Sequence, residues 1–127
     1  NYSFSNLTND SKAEENYFTF FGNNINQSYS LAFFVKQKTS TNDFIFVVGK
    51  ETSIYFLANR KAASANILIS DKQKIDETLT DIETNKPAYI LYDKGVGEFG
   101  RLDRLLNKSY NLSAQENDVK IYSFKPS

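Results

Sequence analysis

The 127-residue chain has no cysteine and no histidine. Without cysteine there is neither a disulfide framework nor a thiolate metal site. Without histidine the commonest general base and the commonest metal ligand are missing, and so is every serine or cysteine triad that uses an imidazole. Net charge is also lacking: 15 basic side chains balance 15 acidic ones. A general nucleic-acid binder carries a basic excess, so nucleic acid is not an expected partner. No apolar run approaches the roughly 18 residues needed to cross a bilayer, and no secretory signal is visible. Methionine is absent and the chain starts at Asn1, which leads us to expect a piece of a longer protein.

What the chain does have is rings. Eleven Phe and eight Tyr make up 15% of it, with no Trp. Residues 1–10, NYSFSNLTND, read as a flexible lead-in, and residues 11–127 as a single α/β domain. Ser11 with Glu14 fits a capping box, and Ala13, Tyr17, Phe20 and Phe21 fall near helical spacing, so a helix is expected over 11–21. Its rings, with Phe18, suit either a core or a surface that touches a membrane interface. Asn occurs 14 times, with Asn-x-Ser/Thr sequons at Asn1, Asn6, Asn9, Asn26, Asn107 and Asn111; an Asn- and Lys-rich codon bias accounts for most of this.

A second helix is expected over 27–38, apolar nearly all round and therefore buried on more than one face. Asp43 to Gly49 is expected as the first strand, and its Phe-Ile-Phe-Val-Val run lacks alternation, as a parallel strand covered on both faces does. Ile54 to Asn59 is a short helix or turn whose Ile54, Tyr55, Phe56 and Leu57 are expected to close the core over the first strand, and 66–69 is a short strand. Ser70 with Gln73 caps a helix reaching Asn85, with Ile75, Leu79 and Ile82 on one face and Pro87 as its stop. A strand follows at 88–92, then a glycine loop, a helix carrying Phe99, Leu102, Leu105 and Leu106, and a closing edge strand over 119–124. This alternation predicts a three-layer, Rossmann-like α/β domain with a mostly parallel sheet of about four strands.

Few residues offer chemistry. Gly95-x-Gly97-x-x-Gly100 spells a dinucleotide fingerprint, but it follows the third strand and holds Glu98 where a phosphate would sit, so a surface loop is the better reading. Glu77 and Asp81 lie on the polar side of an amphipathic helix. No carboxylate pair or metal-ligand spacing stands out, so no catalytic residue, metal site or cofactor is expected. Candidate ligand-binding residues are Arg60 and Lys61, adjacent cations after an apolar segment, Tyr55 within that segment, and Asp93 at a strand end, where open α/β sheets bind ligands. Arg60 can serve a ligand or pair internally, for instance with Asp93. Asp93 can equally cap the loop that follows it.

The ordered series SLAFFVKQKTSTNDFIFVVG, SIYFLANRKAAS, ILIS, IDETLTDIETNKPAYILYD and LDRLLNKSYNL…VKIYSFK, over about residues 15–125, resembles the soluble tail of dolichyl-phosphate-mannose–protein mannosyltransferase-like membrane glycosyltransferases. The matching positions are Gly49, Ile54 to Leu57, Arg60, Ala63, Ser64, Lys86, Pro87, Tyr89, Ile90, Tyr110 and Tyr122. Asn66 departs from that pattern. The resemblance implies an extracytoplasmic, non-catalytic domain (in the periplasm or at the cell surface) tethered to the membrane. Its implied partners are the transmembrane part of the same chain, a glycan, a polyprenyl-phosphate sugar or the acceptor. The alternative is a self-contained small-ligand-binding or protein-interaction α/β domain.

Overall fold

A computed structural model describes residues 23–68, 74–93, 95, 97, 99–116 and 118–126. The lead-in and the helix expected over 11–21 lie outside the described residues, as do Ser70 and Gln73. Nine elements follow in order: α1 (Asn23–Lys38), β1 (Phe44–Val48), α2 (Ser53–Ala58), β2 (Lys61–Ala62), α3 (Ile75–Asn85), β3 (Tyr89–Asp93), α4 (Gly100–Ser109), β4 (Tyr110–Glu116) and β5 (Val119–Phe124).

The five strands form one sheet in the order β2-β1-β3-β5-β4. β1 runs parallel to β2 and β3. β5 is antiparallel to both β3 and β4. The period-2 geometry of strands then sorts the apolar side chains to two faces. Ile45, Val47, Leu91, Val119 and Ile121 meet Leu31, Ala32, Phe34 and Val35 of α1 and Ile54 and Ala58 of α2. Phe46, Val48, Ile90 and Tyr92 meet Ile82 of α3 and Leu102 and Leu106 of α4. The continuous apolar runs in β1 and β3 follow directly, because each strand is covered on both sides.

The architecture is thus mixed α/β, a helix–sheet–helix sandwich, and it corrects the sequence expectation in three places. First, the sheet has five strands, and its antiparallel ladders are more extensive than its parallel ones. Second, no strand is described over 66–68; the chain pairs with β1 earlier, at Lys61 and Ala62. Leu68 owes its burial to side-chain packing in the second core. Third, β5 is internal, and the edge is β4, whose sequence YNLSAQE has weak strand propensity. Tertiary pairing with β5 makes that segment a strand, and a register shift between Leu112 and Ala114 bends it.

α3 ends where Lys86 adopts a left-handed backbone (φ 48°), its N–H bonding to the Ile82 carbonyl at 2.8 Å. Pro87 follows and cannot continue a helix. A side chain at positive φ costs energy that glycine avoids, so Lys86→Gly is expected to raise the unfolding free energy by about 0.5 kcal/mol after glycine's own entropic penalty. Urea denaturation checks this; a loss of stability contradicts it.

Candidate functional site

Arg60 is only 9% exposed. It follows α2, which closes in a Schellman arrangement. Asn59 is left-handed (φ 55°) and donates its N–H to Phe56 O, while Arg60 N–H reaches Tyr55 O at 3.1 Å. The side chain then spends every donor of its fork. Nε–H reaches the Thr39 hydroxyl at 2.8 Å. Nη1 reaches the carbonyls of Ala58 at 3.1 Å and Asn59 at 2.9 Å. Nη2 reaches those of Lys36 at 3.2 Å and Thr39 at 2.9 Å. Thr39 in turn donates to Val35 O at 2.7 Å. The acceptors are carbonyls left without helical partners at the ends of α1 and α2, where the helix dipoles also favour a cation.

Arg60 therefore joins two helix ends, and its partners are carbonyls and a hydroxyl, with Asp93 at the far end of the sheet. Lys61 and Phe44, paired in register, open two parallel strands, which places Arg60 and Lys61 at the N-terminal edge. Asp93 closes β3 at the C-terminal edge. Lys61 is exposed and points from the short edge strand β2.

Tyr55 acts in the middle of this span. Ile45 O bonds to Ala63 N–H and Phe44 O to Ala88 N–H, both at 2.8 Å, so alternation turns the Val47 amide toward the β2 side. β2 is two residues long and ends before reaching it. The Tyr55 hydroxyl substitutes for the missing strand, accepting the Val47 N–H at 2.8 Å. Burial pushes the Tyr55 pKa up to about 12, opposed by the bond from Val47. Asp93 caps the loop after β3, its Oδ1 accepting the Gly95 N–H at 2.9 Å.

The four candidate residues thus sit at three separate places. At the C-terminal strand ends, Gln27, Ser28, Gly49, Glu51 and Asp93 border a cavity of about 40 Å³, space on the scale of a single water. Ser28 donates to Glu51 there at 2.6 Å. Gly49 is buried with φ 143°, a conformation reserved for glycine, so the chain can leave β1 in a tight turn. Small-ligand sites usually offer roughly 300 Å³ or more.

A larger recess lies between α1 and α2. Tyr29, Ala32, Phe33, Lys36, Gln37 and Leu57 line about 270 Å³, and Phe56 on the adjoining turn of α2 is 86% exposed. The expectation that Phe56 joins Ile54, Tyr55 and Leu57 in covering the core over β1 is corrected: Phe56 faces outward and leaves this surface open. Its signal was the run Ile-Tyr-Phe-Leu in a six-residue helix: Ile54 faces the core, and such a helix cannot bury four successive apolar side chains.

These features define a small mixed α/β domain with one helical face bearing exposed aromatic surface. The family described as "Putative competence-induced protein Ccs4 C-terminal domain" matches residues 26–125, and the chain belongs to it. No curated protein and no solved structure matches. The family assignment overturns the resemblance to membrane mannosyltransferases, and the glycosyltransferase function inferred from it falls as well. Among the described residues no helix is long and apolar enough to cross a membrane. The positions that carried the resemblance serve general needs of α/β packing: Gly49 turns the chain, Ile54 fills the core, Arg60 ties helix ends, and Tyr110 donates its hydroxyl to Pro87 O at 2.8 Å.

Two outcomes test this geometry. Arg60→Ala leaves several helix-end carbonyls unpaired and is expected to cost about 3 kcal/mol, lowering Tm by roughly 10 °C. Arg60→Lys, with three donors in place of a planar fork, should recover less than half of that. An unchanged melting temperature contradicts the assignment. For Tyr55, the folded state holds the proton more tightly than an unfolded tyrosine near 10. Its contribution is therefore complete below pH 10 and is lost as pH rises toward 12. Burial of Tyr89, Tyr110 and Tyr122 pushes their hydroxyls in the same direction. The unfolding free energy should stay level up to about pH 10 and then fall, less steeply in Tyr55→Phe; equal slopes in both proteins contradict the role given to Tyr55.

Proposed function

We propose that this domain is a protein-docking module whose contact surface is the α1/α2 face. The observation that carries this is Phe56, 86% exposed, beside the recess lined by Tyr29, Phe33 and Leu57. A large exposed ring beside a recess lined by rings and polar side chains together marks a partner surface, since an amphipathic segment of another protein would take Phe56 out of water while meeting Lys36 and Gln37. Lys36 stands at the rim and Lys38 lies 5.8 Å from the centre of the Phe34 ring, so the segment is expected to carry acidic residues beside its apolar ones.

Three further points support docking over ligand chemistry. The strand-end cavity is small, Arg60 has its donors engaged inside the fold, and Asp93 caps its own loop. The family description speaks of a C-terminal domain of a competence-induced protein, which supports reading the chain as part of a longer protein made during competence. On this reading the docked segment belongs to the preceding part of that protein or to a partner produced with it. We also infer that the parallel strands β2-β1-β3 are a Rossmann-like half to which the hairpin β4-β5 has been added.

A photo-crosslinking residue at position 56 of the longer protein, in the cell that produces it, is expected to yield one discrete adduct. The same residue at position 111, on the edge strand β4, should yield none. Phe56→Asp should leave stability within about 0.5 kcal/mol of the parent while abolishing the adduct formed from a crosslinker at position 57. Equal crosslinking from positions 56 and 111, or no adduct from either, overturns the proposal.

A further inference from the structure

The second surface is on the opposite side of the sheet, between α3 and α4. A groove of about 490 Å³ is lined by Asp76, Leu79, Thr80 and Glu83 from α3 and by Arg101, Arg104, Leu105 and Lys108 from α4. One wall is acidic and the other basic. Asp76 and Arg101 form an ion pair that closes the groove at one end. Glu83 and Lys108 come seven residues later in each helix and line the same groove. The two helices therefore run in the same direction, and the charged steps are separated by about 10 Å of rise on both. Among the described residues, the side chains of Glu83, Arg104 and Lys108 have no ion pair or hydrogen bond.

This pattern restricts what can dock. A uniformly acidic partner meets Asp76 and Glu83, and a uniformly basic one meets Arg101, Arg104 and Lys108. The occupant needs an acidic and a basic row side by side, running the same way, at the same spacing. The chain carries that surface itself. A half-turn about an axis along the groove lays α3 of one copy over α4 of the other and preserves helix direction. Asp76 then faces Arg101 of the second copy, and Glu83 faces Lys108, each contact occurring twice. An isologous interface of this kind needs self-complementarity, and opposite charges facing across it favour the correct register over alternatives. Half-buried Leu79 and Leu105 at the floor supply the apolar centre.

We propose that this chain pairs with a second copy of itself through the α3/α4 face. Being on the other side of the sheet, this surface is independent of the docking face above.

Sedimentation equilibrium of the 127-residue chain tests it. The parent is expected to dimerise reversibly, and less tightly when salt rises from about 0.05 M to about 0.5 M. Glu83→Lys alone and Lys108→Glu alone each place two like-charge contacts in the dimer, and each should raise the dissociation constant at least tenfold, roughly. Mixed in equal amounts, the two variants restore both opposite-charge contacts in the heterodimer and should associate as the parent does. Lys108→Gln serves as the basic-side variant if circular dichroism shows Lys108→Glu unfolded, with a smaller rise in the dissociation constant because it removes two attractions without adding repulsion. A parent that stays monomeric at low salt up to about 1 mM overturns the proposal. So does a mixture no more associated than its components, or variants that dimerise like the parent.

Discussion

The fold turns on one buried guanidinium. α1 and α2 cover the same face of the sheet, and both end at its N-terminal edge, where each leaves carbonyl groups that no further helical turn can satisfy. Arg60 is placed between them by the Schellman ending of α2 and takes oxygen atoms from both ends. A planar fork suits this task because its donors point in fixed, diverging directions. The positive charge lies where two helix dipoles present their negative ends. The packing of α2 on β1, and with it the reach of Tyr55 to the Val47 amide, depends on that junction.

Arg60 also shapes what remains on the outside. Because α2 is short and pinned at its end, it buries Ile54 and Ala58 while turning Phe56 outward beside α1. The other face is covered by α3 and α4, whose inward residues include Thr78, Ile82, Leu102 and Leu106. Their outward rows carry opposite charge. The sheet thus separates two surfaces of different chemistry, one aromatic and one charged.

Much of this was legible in the sequence where a single physical rule governs. The apolar run within 43–49 announced a strand covered on both faces, the run at 88–92 announced a strand, and Ile75, Leu79 and Ile82 announced the amphipathic α3. Legibility failed where long-range contacts decide. β4 has little strand character of its own and exists because β5 pairs with it. β2 could not be located because only two residues of that segment join the ladder. Arg60 was singled out, but its partners were not readable: they are backbone atoms on two different helices, and sequence patterns do not identify carbonyl acceptors. The misleading family resemblance arose in the same way, from glycine, proline and aromatic positions that many α/β sheets need.

The central claim is that the Arg60 guanidinium is held rigidly between two helix ends. Nitrogen-15 NMR of its side chain addresses this directly. A fork bound on all sides should show separate Nη–H resonances, slow rotation about the Cζ–N bonds and Nε–H exchange far slower than for an exposed arginine such as Arg104. Averaged Nη signals exchanging with solvent as fast as those of Arg104 would contradict the account.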